Sequence, residues 1–269
     1  MSPVLKVFIV TLFFLFVAGD AVANQKVNFE TLASHIKSNR TKDFRESLSR
    51  FTKEDINFSG RALLISLAIS ERHADAIAAL ADWGVDFNIS FPVRSEEGIG
   101  GAGTMTPLVL AISSHAGLPV IEMLVRCGAD IEKASDTLQP LGFALATRQY
   151  DVADYLLERG ANPNQSGSMI MNSFMELAIS WPDSDSSAAM NALKKLISSG
   201  GDINAKGKRG LTALSLAVNG GRIHAVRALL ENGADPNTVN EKGESALLIA
   251  RKKQREDIAT LLIEKGARP

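Results

Sequence analysis

Thr106-Pro107-Leu108-Val109-Leu110-Ala111 recurs along the chain as Gln139-Pro140-Leu141-Gly142-Phe143-Ala144 and as Thr212-Ala213-Leu214-Ser215-Leu216-Ala217. Weaker copies end at Ala68, Ala178 and Ala250, so the six alanines stand 43, 33, 34, 39 and 33 residues apart. Each is followed by a second apolar segment that stops at a glycine: Gly84, Gly128, Gly160, Gly200, Gly233 or Gly266. Beyond the glycine a third element recurs, as in Gly160-Ala161-Asn162-Pro163-Asn164 and Gly233-Ala234-Asp235-Pro236-Asn237. A fixed period with two insertions marks a repeat array, in which no unit buries its apolar face without a neighbour.

The residues of the unit predict its shape. Thr followed by Pro opens a helix, Thr as the capping residue and Pro where a missing N–H costs nothing. Small Ala at the centre lets helices approach closely, and Leu and Val at helical spacing fill the shared core. The glycine falls just past the second helix, where a left-handed backbone satisfies the last carbonyls without a Cβ clash.

The T-P-L-x-x-A opening, the paired leucines Leu156-Leu157, Leu229-Leu230 and Leu261-Leu262, and the G-A-D/N-x-N ending occur together and in register. The array resembles the ankyrin repeat over nearly the whole chain beyond residue 23. The resemblance implies an all-α solenoid of about six helix-turn-helix repeats with β-hairpin-like fingers, at about 58–88, 102–132, 136–164, 170–204, 208–237 and 241–269. Residues 24–57 read as an N-terminal helical cap, with Phe29, Leu32, Ala33 and Ile36 on one helix and Phe44, Leu48 and Phe51 on another. In the last repeat Arg251, Lys252, Lys253, Arg255, Glu256 and Asp257 form a charged surface where a further repeat would have stacked, so the array reads as complete at both ends.

The first 23 residues differ in kind. Val7 to Val17 is an apolar run broken only by Thr11, with Lys6 before it and Ala21-Val22-Ala23 after it. This is the layout of a secretory signal cleaved between Ala23 and Asn24; the run is shorter than the roughly 20 residues that span a bilayer. The alternative is a retained anchor. Sequons at Asn39, Asn57, Asn88 and Asn164 would attract glycans in a eukaryotic secretory pathway, three of them in turns where glycans would crowd neighbouring units. A bacterial periplasm is therefore the expected location.

Composition narrows the function. Across 269 residues, 29 basic and 30 acidic side chains leave a net charge of −1, which argues against nucleic-acid binding or binding to an anionic membrane. Cys127 is the sole cysteine, so neither an intramolecular disulfide nor a Cys-based zinc site is available. His35, His73, His115 and His224 have no metal-site spacing. Gly98-Ile99-Gly100-Gly101-Ala102-Gly103 matches a dinucleotide pattern without its strand and helix. Asp183-Ser184-Asp185-Ser186 opens like a calcium loop but has Lys194 where a bidentate Glu is needed. Neither cofactor nor metal is expected, and no catalytic constellation emerges.

Departures from the repeat carry the functional reading. About ten extra residues enlarge the finger Ile89–Met105, read either as a contact site or as a tolerated surface insertion. Trp83, at its base, is placed to brace it. About six extra residues, Trp181 to Ser186, lengthen the turn between two helices, with Trp181 either an exposed anchor or a cover for that turn. The resemblance implies binding of another protein through finger tips and first helices, roughly 89–105, 133–138, 165–171, 206–209 and 239–242. Candidate contacts are Phe91, Arg94, Glu96, Glu97, Ile99, Asp136, Met169, Lys206, Lys208, Arg209, Glu241 and Lys242. Such a module, expected to be a monomer on its own, suits an inhibitor or immunity protein of a toxic effector, or an accessory scaffold for a periplasmic enzyme such as a catalase. An enzyme built on the solenoid would need converging His, Asp and Glu residues that the sequence does not offer.

Overall fold

Helix starts are set by short polar side chains. Asn57, Thr106, Asn172, Ser186, Thr212 and Ser245 each accept the backbone N–H three residues on, at 2.8–3.3 Å, satisfying a donor the helix leaves free. At Thr212 the exchange is reciprocal, because Ser215 Oγ accepts from the Thr212 N–H at 2.9 Å. Second helices stop at glycine: Gly160 has φ 91° and Gly233 φ 97°, conformations a side chain resists. The turns inside helix pairs close the same way on Arg72, His115, Arg148, Gly221 and Gln254, all at positive φ.

The computed structural model describes residues 29–93, 103–134, 139–165, 171–184 and 186–268. The chain divides into two compact units at residue 135. In the first, α1 (Phe29–Lys37) pairs with α2 (Thr41–Leu48) and α3 (Phe58–Ser70) with α4 (Ala74–Asp82). A hairpin of β1 (Phe91–Val93) and β2 (Gly103–Met105) then leads into α5 (Pro107–Ser113) and α6 (Leu118–Arg126). First helices α1, α3 and α5 stack in one layer and α2, α4 and α6 in another. Ile36, Phe44, Ile65, Ile77, Leu80, Ile112 and Leu124 fill the space between. The α1–α2 turn closes on left-handed Asn39, as the repeats' own turns do. Asn57 caps α3 directly, with no finger between, and α3 runs 13 residues. The Trp83 indole N–H donates to Phe51 O at 3.0 Å, pinning α4 to the preceding turn.

In the second unit α7 (Pro140–Ala146) pairs with α8 (Tyr150–Glu158), α9 (Ser173–Ser180) with α10 (Ser187–Ser198), α11 (Ala213–Gly220) with α12 (Ile223–Glu231), and α13 (Ala246–Lys252) with α14 (Glu256–Glu264). Helices α7, α9, α11 and α13 pack side by side in that order, α8 lies on α10 and α12 on α14. Helical pairs stacked in two layers, with fingers between them, make the architecture an all-α ankyrin solenoid.

One register differs from the sequence reading. Asn172 caps α9, and it stands eight residues after Asn164, just as Thr212 follows Asn204 and Ser245 follows Asn237. The position of Ala111 and Ala217 is therefore taken by Leu177 rather than Ala178. Burial agrees: Ile179, which the sequence alignment matches with fully buried Ile112, is 43% exposed.

Counted from Leu177, the path to Gly200 is 23 residues, against 16 from Ala217 to Gly233, so the inner turn carries seven extra residues. Among its described residues the turn lacks the usual left-handed closure, and it is held from the preceding repeat. Arg148 Nε donates to Ser180 O at 2.6 Å, and Ser180 Oγ donates to Leu145 O at 2.9 Å. Trp181 folds inward to 1% exposure, which removes it as a surface anchor, and its indole N–H is buried without an acceptor. Asp183 on the same turn pairs with Arg222.

The last pair is not wholly charged on its outer side. Leu248 is 40% and Ile263 51% exposed, at the positions where Ser215 and Leu230 are buried by the following repeat. Its outer side therefore exposes apolar side chains as well as charged ones.

Candidate protein-binding surface

The fingers rest on an asparagine ladder. Asn88, the last residue of its turn, accepts from Asp130 N–H at 2.7 Å and donates to Gly128 O at 2.9 Å. In the second unit Asn164 spans to Asp202 and Gly200, Asn204 to Asp235 and Gly233, and Asn237 to Arg268 and Gly266, with the same pair of bonds at 2.7–3.2 Å. Each amide uses its donor and its acceptor on the backbone of the following repeat. Asp86, Asp130, Asn162, Asp202 and Asp235 shape the turns by accepting an N–H two residues on.

On that base the long finger rises as an antiparallel hairpin, Phe91 opposite Met105 and Val93 opposite Gly103. It returns straight into Thr106, the cap of α5. Phe91 thus lies on β1, while Arg94, Glu96, Glu97 and Ile99, together with the glycine motif up to Ala102, lie outside the described residues. So do Asp136 and Met169.

The other five candidates are brought together. Residues 208–210 form a single 3-10 turn with Arg209 left-handed at φ 61°. Its carbonyl accepts from Glu241 N–H at 3.0 Å, and Lys206 Nζ reaches Val239 O at 3.3 Å. Two successive fingers are thereby joined main chain to main chain. Asn240 organises the second of them, its Oδ1 accepting from Lys242 and Glu244 N–H groups. Glu244 is bound by Lys252 at 2.6 Å, and that hydrogen bond holds its carboxyl below the usual range. The tips display Lys206, Lys208, Arg209, Glu241 and Lys242 to solvent beside exposed Val239.

Behind the fingers lies a row of equivalent side chains along the first helices, four residues after each cap: Phe143, Glu176, Leu216 and Ile249 in the second unit, with Leu110 in the first. Phe143 and Leu216 are half-buried and apolar. Glu176 alone carries charge; it is 7% exposed, and its carboxyl has neither hydrogen bond nor ion pair among the described residues. Burial pushes its carboxyl from 4.5 up to about 7. Reading α9 one residue out of register hid this position, since it matched Glu176 with Val109. The eight-residue step from turn asparagine to cap would have found it.

The features weighed for chemistry stay apart. His115 sits exposed at a turn, and among the described residues no three of His, Cys, Asp and Glu gather to hold a metal ion. The Cys127 thiol is half-buried and raised, first by burial and then by Asp82. No described helix is long and apolar enough to cross a membrane. Residues 186–269, covering α10 to α14, match the family model for ankyrin repeats in three copies. Repeats of this family generally serve to bind other proteins and are typically non-enzymatic.

Proposed function

We propose that this chain is an exported, non-enzymatic binding module that works in the periplasm and holds a toxic effector protein in check. The observation that carries the reading is the pair of fingers around Arg209 and Glu241, tied by a main-chain hydrogen bond and by the Lys206 ammonium on Val239 O into one mixed-charge edge that a partner meets preformed. The ladder also bears on the compartment: a glycan on the Asn88 or Asn164 amide would sit against the next repeat's turn, which favours a bacterial over a eukaryotic secretory route.

The test is affinity capture from periplasmic extract with protein starting at Asn24. It is run beside a variant with residues 90–103 replaced by a standard short finger and a Lys208→Glu/Arg209→Glu variant. A hydrolytic toxin held by the intact protein and lost by either variant supports the proposal. Capture of an oxidative-stress enzyme such as a catalase replaces inhibition with scaffolding. Capture of nothing removes the stable-partner reading. Intact mass of the exported chain checks the address: a start at Met1 refutes cleavage after Ala23.

A further inference from the structure

We propose that Glu176 is the receptor for a lysine or arginine side chain of the protein partner, seated on the first-helix row between Phe143 and Leu216 with Ile179 alongside. The inference rests on the protein-binding reading and adds the chemistry of the contact.

The argument starts from what surrounds the carboxylate. The helices packed on either side of α9 are α7, Pro-Leu-Gly-Phe-Ala-Leu-Ala, and α11, Ala-Leu-Ser-Leu-Ala-Val-Asn-Gly. Neither contains a titratable side chain. On α10, which also packs on α9, the cations are Lys194, exposed, and Lys195, committed to Glu158 at 3.0 Å. Arg148 spends its Nε on the Ser180 carbonyl, and Lys206 reaches Val239 O. Among the described residues Glu176 therefore has no paired cation within its own unit, while its position is filled by Phe, Leu and Ile in the unit's other repeats.

A buried carboxylate without a partner is costly, and an apolar residue there would pack better. An incoming guanidinium or ammonium would meet its counter-charge where water is already largely excluded, which strengthens the pair. The flanks supply the remaining contact. Phe143 and Leu216 are half-buried, and Ile179, one helical turn from Glu176, is 43% exposed. The surface thus fits a basic side chain flanked by apolar ones, and a purely acidic segment would be repelled.

The probe is a phage-displayed library of random dodecapeptides selected at about pH 8 on the chain from Asn24 onward, with Glu176→Gln and Glu176→Leu in parallel. Leucine is the row's own residue at Leu216, so that variant keeps the fold if the isosteric one does not. The expected result is enrichment of Lys or Arg between apolar residues on the wild type. Synthetic copies of those peptides should lose at least about tenfold in affinity on both variants, and replacing their basic residue by norleucine should abolish the difference. Enriched peptides that bind all three proteins equally overturn the role of Glu176 and leave the protein-binding reading standing. If nothing enriches on any of the three, the binding reading falls and this inference falls with it.

Discussion

Replacing Glu176 by Gln should change how stability depends on pH, with a sign fixed by burial. The carboxyl titrates near 4.5 when the chain is unfolded and at about 7 in the fold, where desolvation disfavours the charge. Below the lower value both states hold the proton and no penalty exists. Between the two values the unfolded chain releases its proton and the folded chain keeps it, so stability falls as pH rises. Above the upper value the whole cost is present: about 3 kcal/mol at roughly 1.4 kcal/mol per pH unit. Gln keeps the shape without titrating, so the stability difference between variant and wild type should grow by about that amount from pH 4.5 to pH 8. Urea unfolding followed by helical circular dichroism across this range measures it, and every other titrating group cancels in the difference. Parallel curves for the two proteins would show that Glu176 ionises freely in the fold, and the reasoning about its burial would be wrong.

Three further outcomes follow from the backbone and the core. Asn204→Ala removes one rung, an acceptor for Asp235 N–H and a donor to Gly233 O; at about 1 kcal/mol per bond the loss is roughly 1–3 kcal/mol, read as a lower urea midpoint. An unchanged midpoint would mean that water replaces the amide without cost. Gly233→Ala meets no atom within 4 Å, so its cost, roughly 1–2 kcal/mol, is pure backbone strain at φ 97°; thermal unfolding of this variant beside Glu231→Ala, an exposed helical control, isolates it, and equal midpoints would contradict the strain. In Trp83→Phe the remaining indole is Trp181, buried at 1% exposure, so emission should be short-wavelength and resist iodide until the protein unfolds; quenching in the native state would put Trp181 back at the surface.

The fold was legible because its signals are local and redundant. Thr212 followed by Ser215, and Gly233 at the far end of the next helix, each dictate a backbone conformation without help from distant residues. Six copies in phase then leave little choice of architecture. The weak copy shows where this fails: the Met175-Glu176-Leu177-Ala178-Ile179 segment aligns with Leu108–Ile112 by residue type, yet the N–H accepted by Asn172 sets the register one step earlier. Apolar pattern alone does not resolve a one-residue slip when Leu, Ala and Ile are neighbours. Trp181 was legible only as two alternatives, an exposed anchor or a cover for its turn, and its burial at 1% exposure selects the cover. The five charged finger tips were legible from their position in the turn; their linkage through Arg209 O and Glu241 N–H was not, because main-chain bonds between fingers leave no mark on residue type.

The asparagine rungs also say where this chain can afford to change length. Ten residues were added between Asn88 and Thr106, relative to the eight-residue step elsewhere, and seven in the turn containing Trp181. Both additions leave the neighbouring rungs, Asn88 to Gly128 and Asn164 to Gly200, at 2.9 Å. Insertions at the two edges are invisible to the amides, whereas one residue added inside α12 would shift the Gly233 carbonyl away from Asn204. A graft of foreign sequence therefore belongs between Asn88 and Thr106 or in the turn containing Trp181, and a library built there would inherit the scaffold's alignment without renegotiating it.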